Sequence, residues 1–557
     1  MTAVWYRFRA ELRDKWKGVL ALALLAGFAG GATLAAIAGA RRTDSAFSRL
    51  LVDTNAAHLL VNPDYGDDSH LDARAVARLP MVTRMGREQG VIVLPLGVDN
   101  VADVEHSLDL ASDGKGMYSI GRLHVLKGRS PDPSRVDEVL ANGAFARRYG
   151  LRVGDHFLAA IMTREVFQAI NDAGLSFSEG VAAVGRGEYG TKVRLHLVGI
   201  GVTPDEIVVD EGFENREMVF TPAFLRRYPN ASAGFFGLAV RLRRGVADIP
   251  AFKRAVQELP HDGAIEFQTM PVTAAKVARA VRPQVGALSV FAIVIALTGF
   301  LLVGQAMARQ TFLESVDHPT LRALGLDRRQ LVSGSMVRAA MTAVPAAMLA
   351  VVIAFVASPL TPIGAARTAE PDLGVFVDGP VLVLGFVTVG LAVLVLAAIP
   401  AWWYTRPTSV GTADQPVSRP SRLAGLLRAS GASLAAGTGV RMALEPGRGR
   451  TAVPVRTTIV GAALAVATVV AALTFASSLD HLVSTPRLYG WSWDVRVETS
   501  GDTSEAASAL HTKVATAMAK SKQVTAFADS VISRVDLEGL TVTALGVARG
   551  KGHVGPT

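Results

Sequence analysis

Read as apolar and polar positions, the chain divides into long uncharged runs separated by polar stretches of unequal size. Residues 18–40, 286–307, 339–360, 380–403 and 457–479 contain no Asp, Glu, Lys, Arg or His. Each run is long enough to cross roughly 30 Å of hydrocarbon at about 1.5 Å per residue. The pattern predicts five transmembrane helices. Ahead of the first, residues 1–17 set Trp5, Phe8, Leu12 and Trp16 at helical spacing against Arg7, Arg9, Arg13, Lys15 and Lys17. That is the layout of an interfacial amphipathic helix. Within the first span, Gly27, Gly31, Ala35 and Gly39 recur every fourth residue, a small-residue face suited to close helix packing. Ala38-Gly39-Ala40 has the form of a signal-peptidase site, but the apolar run is too long for a cleaved leader.

Residues 41–285 are polar and nearly balanced in charge, enough chain for a core of their own. Strand-like runs at 58–61, 91–94, 193–202, 235–242 and 264–267 alternate with helical runs at 71–79, 137–149 and 246–259. The expectation is an α+β domain, with α/β as the close variant.

The flanks set the topology. The N-terminus, residues 308–338 and residues 404–456 are basic. The 361–379 loop carries Glu370, Asp372 and Asp378. The positive-inside rule then places the N-terminus in the cytoplasm and the 41–285 domain, the 361–379 loop and residues 480–557 outside. Half of the 557 residues are hydrophobic and mean hydropathy is +0.33, which agrees with a multi-pass cell-membrane protein. The net charge of +9 lies beside the apolar runs, so membrane lipids explain it better than nucleic acid. There is no cysteine, which removes thiol catalysis, disulfides and thiolate metal sites.

Between the second and third runs, residues 311–331 read TFLESVDHPTLRALGLDRRQL. Pro319 fits the first turn of a short helix and Gly325 the left-handed position past its end. Leu321 and Leu324 fall on one face. Asp327 followed by Gln330 is an aspartate form of the capping box, opening a second helix. The segment reads as a stiff, transverse helix at the membrane surface. Leu321-Arg322-Ala323-Leu324-Gly325, then Arg328-Arg329-Gln330-Leu331, resembles the coupling segment of FtsX-like, MacB-type ABC transporter permeases. The resemblance implies docking of a separate ATP-binding subunit on Glu314, Asp317, Leu321, Arg322, Ala323, Leu324, Gly325, Arg328 and Arg329. Glu314 and Asp317 make the approach mildly acidic, where many relatives carry a basic run, so the partner's matching surface is expected to differ there. Asp137-Glu138-Val139 leading to Gly150-Leu151-Arg152-Val153-Gly154-Asp155 is similar to a passage of MacB-type periplasmic core domains. Residues 439–448, GVRMALEPGR, belong to the same likeness.

The region around residue 457 repeats the region around residue 18: basic residues, an Ala/Gly/Val-rich span, a serine-led turn (45–50 and 477–482), then a strand (58–61 and 493–497). The chain ends before that second unit could be complete, so the sequence reads as a truncated or split form of a duplicated permease.

Catalytic chemistry is absent from the sequence. Residues 546–552 fall one short of a phosphate loop and lack its Ser/Thr. The eleven histidines show no metal-ligand spacing, and Asp64, Asp67, Asp68 and Asp72 miss the Gly and Glu positions of a calcium loop. Uncharged spans argue against a proton- or ion-coupled carrier. The expected function is that of a non-enzymatic permease subunit without cofactor or metal, coupling ATP hydrolysis by its partner to movement of the outer domain. That movement would serve export, lipid or lipoprotein extraction, or envelope signalling. A second permease copy is a further expected partner. The rival readings are an ATP-independent envelope receptor or scaffold and a truncated remnant.

Overall fold

Two helices outlast the apolar runs that predict them. Helix α1 (Thr2–Asp53) is one element, where the sequence suggests an amphipathic helix, a span and then a serine-led turn. Residues 2–53 contain no proline, and an isolated interior glycine costs only about 1 kcal/mol. The turn at 45–50 is therefore helix, and its Ala46, Phe47 and Leu50 are buried. Helix α2 (Met270–Ser315) likewise runs unbroken through Pro283 into the second apolar run. The computed structural model describes residues 2–63, 71–97, 109–175, 177–208, 216–261, 265–315, 318–405, 455–489, 493–495, 497, 505–537 and 540–552. The acidic stretch at 64–68, Asp317, most of the 404–456 segment and the 439–448 motif lie outside them.

Among the described residues four helices are long and apolar enough to cross a membrane: α1, α2, α4 (Arg328–Ala357) and α5 (Gly379–Tyr404), with the short α3 (His318–Ala323) between α2 and α4. The fifth apolar run lies within α6 (Val455–Ser484), whose Val469–Leu482 section is a shorter apolar helix than the other four. Small residues set the helix spacing. A Cβ at Gly27 would meet Leu349 at 2.7 Å, one at Gly31 would meet Ile353 at 2.6 Å, and one at Gly39 would meet Thr361 at 2.6 Å. Ala35 packs on the buried group of Leu34, Ala350, Ala354 and Val381. Without a hydrophobic driving force between helices in lipid, such close van der Waals approach is what holds them together.

The domain between α1 and α2 is built on an eleven-stranded mixed sheet. Its strands are β1 (Leu59–Pro63), β2 (Val82–Val91), β3 (Val93–Pro95), β4 (Asp109–Ser112), β5 (His124–Gly128), β6 (Glu138–Asn142), β7 (His156–Ile161), β8 (Thr191–Val202), β9 (Met218–Phe220), β10 (Ser232–Leu242) and β11 (Ile265–Thr269). They run in the order β11-β1-β10-β2-β4-β9-β6-β8-β7-β3, with β5 on β8. Most pairs are antiparallel; β4 with β9 and β6 with β8 are parallel. Residues 137–149 correct the helical expectation. Glu138–Asn142 form a fully buried strand between β9 and β8, and helix begins only at Gly143, N-capped by the Asn142 side chain. A short apolar run flanked by helix formers does not distinguish the two by periodicity. Phe145, Phe220 and Phe224 fill the core over this part of the sheet, and Phe252 and Val256 fill a second core under β1 and β10.

The chain divides into two units, residues 1–457 and 458–557. The second contains most of α6, α7 (Glu505–Lys520) and the antiparallel hairpin β12 (Phe527–Leu537) and β13 (Leu540–Lys551). The predicted strand at 493–497 is not formed at its described residues, and the second serine-led turn at 477–482 is helix. Residues 546–551 are strand, unlike a phosphate loop.

Candidate functional site: the segment between the second and third apolar helices

The polar segment takes the form its punctuation dictates. Helix α3 is short, and the Gly325 and Leu326 N–H groups return to the Arg322 and Leu321 carbonyls at 2.9 and 3.1 Å. Gly325 has φ +92°, the left-handed closure that an L-residue with a Cβ resists. Asp327 and Gln330 then cap α4 reciprocally, each side chain accepting the other's backbone N–H at 3.0 Å. Two helix termini are thus satisfied within ten residues, leaving little slack between them.

The side chains are placed unequally. Leu324 is 74% exposed, at the centre of the turn. Leu321 is only half-buried; Ala323, Gly325, Arg328 and Arg329 are exposed. Arg322 Nη2 donates to the Thr405 carbonyl at 2.6 Å, and Arg328 Nη2 to the Trp402 carbonyl at 3.2 Å. The Arg328 guanidinium also stands 5.7 Å over the Trp402 ring. Both arginines therefore complete the C-terminal end of α5, where carbonyls lack intrahelical partners and the helix dipole favours positive charge. Sequence reasoning gave them only to an outside partner and could not foresee this second engagement. Glu314 is also occupied: its carboxylate pairs with Arg338 on α4 at 2.8 Å, both side chains largely buried.

The opposite ends of the same helices carry a group that sequence reasoning missed. Arg42, 2% exposed, donates to Glu370 at 3.3 Å and to the Ser358, Asp372 and Gly374 carbonyls at 3.0, 2.6 and 3.2 Å. Arg49 takes the other Glu370 oxygen, and both guanidinium groups stack on Phe376 at 5.2 and 5.1 Å. The buried pair therefore has nearly all its polar valences filled, the condition under which such a pair holds. The only sign of it in the sequence is charge placed just outside two apolar runs.

The sheet domain has a carboxylate group of its own. Burial, with Asp205 and Asp113 nearby, pushes Glu88 up to about 7. Burial and the neighbouring Glu206 push Glu217 well above the carboxylate range, and one Glu217 oxygen has no partner. Glu206 is raised too, by burial, against hydrogen bonds from Asn142 and Thr203. Such carboxyls are favoured in the neutral form.

Apolar helices of spanning length around a punctuated polar segment define a membrane-embedded protein. Residues 289–410 match the family model for the FtsX-like permease C-terminal. That part of the chain is similar to the FtsX-like permease family, whose members are membrane components of ABC-type transporters rather than classical enzymes. Such permeases normally pair with an ATP-binding subunit. No curated protein matches the chain. Among solved structures, a domain from Porphyromonas gingivalis assigned to a permease protein is 11% identical. The similarity covers 39% of this chain and 90% of that one, with a TM-score of 0.22. A heavy metal efflux pump is 12% identical over 63% of this chain and 35% of its own, with a TM-score of 0.17. Overlap at that level carries no structural argument.

Proposed function

We propose that this chain is the permease subunit of a MacB/FtsX-type ABC system, with a separate ATP-binding subunit docking on the α3 turn. The single observation that carries the reading is Leu324, held exposed in the turn between two capped helix termini, the end of α3 and the start of α4. An apolar knob of this kind fits a pocket on a partner and is left largely uncovered by the described residues. Arg329 beside it offers charge and Leu321 and Ala323 extend the contact; Glu314 and Asp317 precede it in the sequence.

In this mechanism the chemistry stays in the partner. When the ATP-binding subunits close, α3 moves with them, and the caps at Gly325 and Asp327 pass that displacement to α4 without bending. Arg322 and Arg328 pass it to α5. Helix α2 leads the other way into the sheet domain, which moves as the far arm of a lever. The five spans, the inside N-terminus and the outside placement of 41–285 and 480–557 belong to the same proposal, as does close packing through Gly27, Gly31, Ala35 and Gly39.

The test is co-purification of the full chain with its ATP-binding subunit, comparing wild type with a Leu324→Asp, Arg329→Glu double variant. Retention by wild type and loss in the variant, with equal melting temperatures, supports docking at α3. A folded wild type that retains no ATP-binding subunit overturns the reading in favour of an envelope scaffold.

A further inference from the structure

Two histidines forty residues apart in the sequence meet on the sheet. His156 opens β7 and His196 lies directly across from it on β8. Their imidazoles stack with centroids 4.3 Å apart and planes 3° from parallel. The core-facing residues of β8 are Val193, Leu195 and Leu197, so His196 points to the opposite face. His156 is exposed and His196 half-buried. Antiparallel pairing runs without a break from His156–His196 to Ile161–Thr191, so the backbone beneath both rings is fixed.

We propose that His156 and His196 form a binding site for a divalent transition-metal ion of the Zn2+, Ni2+ or Cu2+ class, with water completing the coordination. Imidazole is the side chain best suited to these ions. Two nitrogens about 2.0–2.1 Å from one tetrahedral ion stand roughly 3.4 Å apart. An ion lies in the plane of each imidazole that binds it, so the parallel rings, with centroids 4.3 Å apart, must open from the stack to chelate. Rotation of both side chains about χ1 and χ2 brings one nitrogen of each to that separation without moving the strands.

The neighbouring carboxylates add no ligand. The Asp137 carbonyl accepts the His196 backbone N–H at 2.8 Å, and Arg135 holds the Asp137 carboxylate through both oxygens at 3.2 Å. Glu138 also faces His196 across the β6–β8 pair, but Arg129 holds it through both oxygens at 2.6 and 2.7 Å. Glu138 is therefore not a ligand. Among the described residues no three His, Cys, Asp or Glu are arranged to hold a metal ion. The site is accordingly a two-imidazole one, open to water and to exchange. The plain alternative is a cross-strand packing contact, which contributes on the order of 0.2–1 kcal/mol and binds nothing.

The experiment uses the full chain in detergent with any affinity tag removed, titrated with ZnCl2 and, separately, with CuCl2. Wild type should take up one equivalent of Cu2+ whose spin-echo modulation shows two equatorial imidazoles. His156→Gln and His196→Gln should each leave one imidazole and weaken Zn2+ binding at least tenfold, with the metal-free melting temperature unchanged. Where a variant fails to fold, wild-type protein alone decides: Zn2+ should protect both rings from diethylpyrocarbonate, read by peptide mass spectrometry. Equal binding by wild type and both variants overturns the proposal, as does a single-imidazole signal in wild type. Modification of both rings at the same rate with and without Zn2+ overturns it too and leaves a packing contact.

Discussion

The two ends of the apolar helix bundle use arginine in opposite ways. At one end Arg42 is sealed from water, with a carboxylate, three carbonyls and an aromatic face around it. At the other, Arg328 remains exposed while touching one carbonyl and one ring face of α5. The first arrangement locks: a buried charge deprived of its partner is costly to leave alone. The second releases cheaply, because water can replace each contact. A bundle fixed at one end and adjustable at the other suits an input that arrives at the adjustable end.

The largest expected effect tests the lock. Arg42→Ala should lower stability by about 3–5 kcal/mol, read as a fall in melting temperature in detergent. The paired change Arg42→Met, Glu370→Leu should recover part of the loss, because it leaves no unpaired charge behind. A single variant as stable as wild type would erase the contrast between the ends.

Helix spacing comes next. Gly31→Val puts a Cβ where Ile353 already lies at 2.6 Å, and should cost about 1–3 kcal/mol by overpacking. Gly18→Ala, with nothing within 4 Å of the added carbon, should stay within about 0.5 kcal/mol of wild type or stabilise. Equal melting temperatures for the two would mean that the small-residue face does not set the spacing.

A smaller effect is expected from pH. Glu88 is raised to about 7, chiefly by burial, so the unfolded chain releases its proton more readily than the folded one. The stability this group contributes is complete below its ordinary pKa and is lost as pH rises through about 7. Melting temperature should therefore fall between roughly pH 5 and 8, by the equivalent of about 1–2 kcal/mol after allowance for a half-buried site. Glu88→Gln should flatten that slope, and an unchanged slope would assign it to Glu217 or Glu206.

The smallest effect on stability belongs to the adjustable end. Leu324→Asp is expected within about 0.5 kcal/mol of wild type by thermal melting, although docking is abolished. A large stability loss there would mean that Leu324 is structural.

What was legible in the sequence follows the range of the physics. Pro319, Gly325, Asp327 and Gln330 act on neighbours one to four residues away, and the turn they specify is present with its φ and its reciprocal bonds. The apolar runs were legible because spanning length is a property of a single segment. Glu138–Asn142 was misread because five apolar-leaning residues before a real helix continue its period, while their strand partners lie on β8 and β9, far along the chain. Arg42 and Glu370 lie 328 residues apart, and no local pattern links them. The same holds for Arg322 and Arg328, whose acceptors sit at the end of α5, and for the stacked histidines.

One feature of the fold bears on how the protein tolerates change in length. Helix α1 leads through a short connection into β1, α2 follows β11 directly, and β1 and β11 are adjacent strands of one sheet. The angular phase of each helix about its own axis is therefore tied to the register of that strand pair. One residue inserted between β11 and the apolar part of α2 would turn everything beyond it by about 100°. The faces now packed on α1 would then point into lipid. An insertion of about seven residues, two turns, nearly restores the angle. Length in this stretch is thus quantised in helical turns, and the sequence there is constrained in its count of residues as much as in their kind.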